Sequence, residues 1–202
     1  MRKDFIYLAS ASPRRSVLLE QIGVAHRVLP ADIPEAREVD ETSEDYVIRL
    51  AEQKASAVWE QTQREQPRPV LAADTTVVLD ERVLGKPRDS ADALAMLADL
   101  SGRSHRVLTG VALRHTGGLD SVLSINEVRF RPTSEAERRA YCATGEPLDK
   151  AGGYGIQGYG AVFVERIEGS FSAVVGLPLR ETARLLAQVG QPGWLVEAEA
   201  GA

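Results

Sequence analysis

One cysteine, Cys142, stands in a chain of 202 residues. An internal disulfide framework is therefore excluded, and no Cys/His spacing of the zinc kind surrounds Cys142, His26, His105 or His115. So little thiol fits a reducing compartment, and the expected location is the cytoplasm. Long apolar runs are missing as well. The stretch Phe5–Ala9 is too short for the core of a signal peptide, and nothing later approaches a membrane span, so the mature protein is expected to begin near Met1 and to have no membrane partner. A basic excess is the third absence. A formal net charge of −5 argues against binding a nucleic-acid polymer, because proteins that track phosphates spread cations along a face. Any anion site must gather a few Arg and Lys in one place. Internal repeats, coiled-coil heptads and linkers are also lacking.

What is present is 44% hydrophobic content, enough to bury one sizeable core. The reading is a single domain over residues 1–190 with a C-terminal tail over 191–202. FIYLA (5–9) predicts a short buried strand, and Ser12-Pro13 a helix cap with proline at the first helical position, the helix running to about Ile22 before Gly23. HRVL (26–29) reads as a second strand, and 30–42 as a loop rich in acids. A long helix opens near Thr42 or Ser43 with Val47, Leu50, Ala51, Lys54 and Val58 on one side. PVLAADTTVVLD (69–80) is a strand broken in character only by Asp74, and a turn at 80–82 leads back through Val83-Leu84. Asp89 or Ser90 caps a helix with the stripe Leu94, Leu97 and Leu100. The segments 105–115 and 119–130 predict a hairpin across Gly117-Gly118. Ser134 and Glu137 open a helix to about Thr144. GGYGIQGYG (152–160) is too glycine-rich for a regular element, 161–169 resumes strand character, and a last helix starts from Pro178 and frays after Gly190. This order of elements suggests an α/β sandwich around a mixed sheet.

Three segments carry chemistry. Ser10, Ser12, Arg14 and Arg15 lie between a strand and a helix, where unpaired N–H groups, hydroxyls and guanidinium groups would cradle phosphate without a Walker sequence. The competing reading is a plain Ser-Pro cap with solvated arginines. Asp74 lies in an apolar strand, and a carboxylate there is costly unless paired or bound to metal. It is the candidate for cation ligand or general base, against a strand-end carboxylate capping a turn. Asp74-Thr75-Thr76 lacks the second aspartate of the D-x-D phosphatases, which argues against an aspartyl-phosphate. Glu35, Lys54, Lys86, Asp149 and Lys150 supply further charge, each of which could equally be a solvated surface group. In the glycine-rich loop, Gln157 presents a donor and an acceptor that match the edge of uracil or thymine, unless the loop is only a bend with Tyr154 and Tyr159 packed inward. Cys142 reads as a small buried hydrophobe and His105 as a strand residue.

Taken in order, LASASPRR (8–15), AADTTVVLD (72–80), GKP (85–87), SGRSHRVLTGVAL (101–113), PLDKAGGYGIQG (147–158) and VVGLPL (174–179) closely resemble the Maf family of nucleotide pyrophosphatases over nearly the whole chain. The resemblance implies an α/β fold like that of the inosine triphosphate pyrophosphatases, with an elongated mixed sheet flanked by helices and a central nucleotide cleft, and it implies a homodimer. By carry-over, Asp74 would accept the catalytic proton. Ser10, Arg14, Arg15, Glu35, Lys54 and Lys86 would surround the triphosphate and a divalent cation, Mg²⁺ or Mn²⁺, held by Asp74 and Glu35. Arg14, Thr75 and Gln157 match positions that separate the branches: SPRR, ADT and GIQG are similar to the branch acting on dTTP and UTP, and not to the 7-methyl-GTP branch. Ala72 departs from a frequent glycine, a matter of strand packing.

The function expected is therefore hydrolysis of dTTP and UTP to the monophosphate and pyrophosphate by water attack at the α-phosphorus. Two rivals are a house-cleaning activity on modified pyrimidine triphosphates and a non-catalytic nucleotide-binding regulator of septum formation.

Overall fold

A computed structural model describes residues 5–64 and 67–191. The expected tail over 191–202 lies, but for Gln191, outside them. The elements are β1 (Ile6–Leu8), α1 (Pro13–Gln21), β2 (His26–Val28), α2 (Ser43–Thr62), β3 (Val70–Leu79), β4 (Arg82–Leu84), α3 (Ser90–Leu100), β5 (Ser104–His115), β6 (Gly118–Phe130), α4 (Glu135–Ala143), β7 (Val164–Glu168), α5 (Phe171–Val175) and α6 (Leu179–Gln188). One seven-stranded mixed sheet has the order β2-β1-β3-β5-β6-β7, with β4 pairing to β3. Its β1 runs parallel to both β2 and β3. The pairs β3/β4 and β6/β7 are antiparallel, and the second carries a bulge at Arg129/Phe130. The fold is thus α/β with a mixed sheet, as expected.

The chain divides into two compact units. The first comprises Met1–Asp74, Thr109–Leu123 and Gly176–Ala202. Its core sets Ala51, Ala55, Val58 and Trp59 of α2 against Ala9, Val70, Ala72 and Ala112. Alanines on both sides let a helix lie close to the strands, and glycine goes further. A methyl at Gly110 would stand 2.5 Å from the backbone oxygen of Val47, so the approach of α2 to β5 requires the missing side chain. The α2 stripe is the expected one and includes buried Lys54. Thr42 caps it, accepting the Asp45 N–H at 3.0 Å.

The second unit comprises Thr75–Leu108 and Ser124–Val175. Its core gathers Val77, Leu79, Leu97, Leu100, Val107, Val128, Phe130, Tyr141, Tyr154 and Phe163. The Phe130 and Tyr154 rings meet edge to face at 4.7 Å, and each buried side chain of this size contributes about 1.5–3 kcal/mol. Asp89 caps α3 through the Asp92 N–H at 2.8 Å. Leu97 and Leu100 are buried as the stripe requires, while Ala93 takes the third deep place and Leu94 is half-buried. Ser134 and Glu137 form the expected reciprocal cap of α4.

Three expectations need correction. Ser12 occupies the cap position of α1, but its side chain makes no capping bond; its N–H instead donates to Ser10 Oγ at 3.2 Å, which ties the turn together from two residues back. Residues 161–163 are not strand. They belong to a 3-10 turn over Tyr159–Phe163, because Phe163 is drawn into the aromatic core and the strand starts only at Val164. Of the two tyrosines in the glycine-rich loop, Tyr154 is buried while Tyr159 is 70% exposed.

Candidate active site

Within the first unit the sequence brings charges together from three kinds of element. The central strand β3 is buried throughout its N-terminal half, and Asp74 sits in that run at 9% exposure. Helix α2 offers Lys54 from the middle of its apolar stripe, and the Lys54 ammonium donates to Asp74 Oδ1 at 2.7 Å. The acidic loop brings Glu35, whose Oε1 lies 2.5 Å from the same ammonium. One lysine thus joins a buried carboxylate to a half-exposed one. A lysine so placed serves two carboxylate acceptors at once.

Burial is the largest influence on Asp74 and raises its proton affinity above the ordinary carboxylate value. Lys54 and Arg15 oppose it, and Glu35 adds to it. Ion-pairing alone would have left a weak base; withdrawal from water makes Asp74 a stronger one. Arg15 feels the same field from the other side. Burial lowers its guanidinium from the usual value, and Asp74 and Glu35 pull it back up, while neighbouring Arg14 lowers it further.

Arg15 is fixed where it can meet an anion. Its Nη1 donates to Ser10 Oγ at 3.0 Å and its Nε to the carbonyl of Gly176 at 2.8 Å. Ser10 is buried at the end of the β1 segment. Its hydroxyl oxygen accepts from Arg15 and from the Ser12 N–H, so the turn before α1 is preformed rather than waiting for a ligand. Pro13 at the first helical position leaves the following N–H groups of α1 facing the turn.

The remaining sequence candidates lie in the second unit. Thr75 follows Asp74 in β3 and is half-buried, and Lys86 is exposed beyond β4. Lys150 is turned onto its own loop, donating to Glu146 O at 2.7 Å and to Asp149 Oδ1 at 2.5 Å. Gln157 is exposed at the tip of the glycine-rich loop. That loop is built around a carboxylate the sequence reading passed over: Glu146 accepts from Tyr141 Oη at 2.9 Å and from the N–H groups of Tyr159 at 2.9 Å and Gly160 at 3.2 Å. A methyl at Gly158 would fall 2.3 Å from Glu146 Oε2, so any larger residue there would displace the carboxylate from this wrap. His105 is a core residue, with Nε2 at 2.8 Å from the Tyr154 hydroxyl. Cys142 packs against the aromatic core, and burial pushes its thiol up, away from reactivity.

Also unforeseen were Tyr46, Arg49 and Glu41, which brace the acidic loop against α2. The signal was there: Tyr46 and Arg49 stand three residues apart on the first turns of a helix that follows an acidic loop.

A strand carboxylate with raised proton affinity, a lysine bridging it to a loop glutamate, and a serine-arginine turn form a cluster whose chemistry suits hydrolysis of a phosphate anhydride. The sequence comparisons agree with that class. The family model described as Maf-like protein matches residues 5–189, and the chain belongs to this family. It is 51% identical over 191 residues to the dTTP/UTP pyrophosphatase of Bordetella avium (strain 197N), covering 92% of this chain and 95% of that one. It is 54% identical over 193 residues to the dTTP/UTP pyrophosphatase of Anaeromyxobacter sp. (strain Fw109-5), covering 93% and 90%. Among solved structures, a nucleoside-triphosphatase / dITP/XTP pyrophosphatase from Mycobacterium abscessus superposes with a TM-score of 0.44 at 18% identity, covering 91% of this chain and 93% of that one.

Proposed function

We propose that this chain hydrolyses nucleoside triphosphates, dTTP and UTP before others, to the monophosphate and pyrophosphate. The observation that carries the reading is Asp74, a carboxylate whose proton affinity burial raises against the opposing charges of Lys54 and Arg15, and which the Lys54 ammonium holds in place. It does so in a chain whose relatives from Bordetella avium and Anaeromyxobacter are dTTP/UTP pyrophosphatases.

Asp74 takes a proton from a water molecule as that water's oxygen bonds to the α-phosphorus. The bond from the α-phosphorus to the bridging oxygen breaks, and pyrophosphate departs with the electron pair. Arg14, Arg15 and Lys54 outnumber Asp74 and Glu35, so the cluster attracts a polyanion, and Ser10 keeps the Arg15 fork aimed. No covalent enzyme intermediate is needed.

A divalent cation, Mg²⁺ or Mn²⁺, fits these donors. Asp74 and Glu35 both reach one point, now marked by the Lys54 ammonium. No group of three or more His, Cys, Asp or Glu side chains among the described residues could hold a metal, which suits an ion shared with phosphates rather than one caged by protein. Bound there, it would neutralise charge on the triphosphate. Gln157 is proposed to select the base, with Thr75, Lys86, Asp149 and Lys150 as further substrate contacts. No helix among the described residues is long and apolar enough to cross a membrane, and the proposed setting is a cytoplasmic homodimer.

The test is pyrophosphate release by the purified chain from a panel of ribo- and deoxynucleoside triphosphates with Mg²⁺ and with Mn²⁺. Release fastest from dTTP and UTP is expected; binding without release from any member would replace the enzyme with a nucleotide-binding protein.

A further inference from the structure

The loop over 30–42 contains no helix or strand, yet it must place the Glu35 carboxylate at Lys54. That carboxylate is about half exposed, at 52% of its side-chain surface. An ion pair so open to water contributes little by itself, roughly 0–1 kcal/mol, so Lys54 cannot hold the loop alone. Something else must hold it.

Two side chains on α2 do. The Tyr46 hydroxyl donates to the backbone carbonyl of Glu35 at 2.9 Å. Arg49 donates from Nε to Glu41 Oε1 at 2.6 Å and from Nη2 to Glu41 Oε2 at 2.8 Å, a two-point fork, and Nη2 also reaches the carbonyl of Ala36 at 3.1 Å. The guanidinium lies 5.7 Å from the centre of the Tyr46 ring, so the two side chains brace each other. Glu41 passes the constraint on by accepting the Glu38 N–H at 3.1 Å, and Arg37 donates to the Glu41 carbonyl. Asp40 turns the chain in the left-handed region at φ 61°. The backbone of 35–41 is thereby fastened at both ends to the helix that carries Lys54.

We propose that Arg49 and Tyr46, acting through Glu41 and the Glu35 backbone, are positioning residues that hold the Glu35 carboxylate at the Lys54–Asp74 pair. Their hydrogen bonds go to the loop, and it is through the loop that they set where the Glu35 carboxylate lies. The inference rests on the reading that Glu35 serves the pyrophosphatase site. Residues that orient a charged ligand from behind are commonly worth about 10- to 100-fold in activity.

The experiment compares the full chain with R49A, Y46F, E35Q and R49A/E35Q, using dTTP and Mn²⁺, with melting curves and amide hydrogen exchange for each. R49A is expected to lose about 10- to 100-fold in kcat/KM, Y46F less. R49A should cost nothing more once Glu35 is already glutamine, so R49A/E35Q matches E35Q. Exchange at the amides of 36–41 should rise in R49A while the core of α2 keeps its protection. Wild-type kcat/KM in R49A and Y46F beside an impaired E35Q overturns the positioning role and spares the function. A loss in R49A that multiplies with E35Q, or one tracked wholly by a lower melting temperature, assigns Arg49 to stability and also overturns it. Undiminished turnover in E35Q removes Glu35 from the site, and the positioning role falls with it. Should the wild type release no pyrophosphate, the function fails separately, and unchanged exchange over 36–41 in R49A then rejects the clasp by itself.

Discussion

At position 74 two physical demands oppose one another. Burial disfavours the carboxylate, Lys54 and Arg15 favour it, and burial prevails. A general base works only without its proton, so kcat/KM should rise with pH along an acid limb above the usual carboxylate pKa of about 4. A pH–rate profile whose limb lies at or below that value contradicts the assignment. Asp74→Asn is expected to cut turnover by about 10²- to 10⁴-fold with dTTP binding largely kept. Its melting temperature at pH 7 should be unchanged or higher. A raised folded pKa means that the group's stabilising contribution is lost as pH rises through that pKa, and asparagine removes the cost while Lys54 keeps Glu35 as partner. At position 157 an amide offers donor and acceptor together, whereas a carboxylate offers only acceptors. Gln157→Glu should lower kcat/KM for dTTP and UTP by about tenfold or more, the size of one lost hydrogen bond, measured against the other triphosphates. Both residues stood out in the sequence, Asp74 as the charge in an apolar run and Gln157 as the amide among glycines.

Helices and strands here were legible wherever the signal is local. Caps depend on residues three apart, so Asp89 with Asp92 and Ser134 with Glu137 could be read directly. Arg131 joins the α4 cap. Its hydrogen bond, ahead of those from Ser134, takes the Glu137 carboxyl down to about 2. Ser134→Ala should cost about 1 kcal/mol in denaturant unfolding. The start of β7 was not legible, because Phe163 leaves the strand to fill the aromatic core, a demand set by residues distant in sequence. Gly110 is the same kind of case. In an apolar strand it looked like any small residue, but the backbone of α2 passes within a methyl's reach. Gly110→Ala must push that helix away and should destabilise by about 1–3 kcal/mol, with activity falling too because α2 carries Lys54. An unchanged unfolding midpoint would show that the approach is looser than the distances require.

For the molecule as a whole, acid stability should turn on His105. Desolvation by burial lowers its pKa to about 4, and it lies 3% exposed against Phe130 and Tyr154. The unfolded chain takes up this proton near 6.5, while the folded chain refuses it until about 4. The free energy of unfolding should therefore fall as pH drops between those values and be unaffected by this group at neutral pH. Replacing His105 with phenylalanine should flatten that part of the stability–pH curve, and an unaltered slope would place the acid sensitivity elsewhere. From the sequence alone came the elements with their caps, the two periodicities that set the buried faces, the family motifs and the anomaly at Asp74. All of these are encoded within a few neighbouring residues. Only the tertiary structure decided that Glu35, Lys54 and Asp74 meet, and that Arg49 holds the loop which makes them meet. An ion pair depends on distance in space, and the three residues come from a loop, a helix and a strand whose approach is set by packing that no local pattern records.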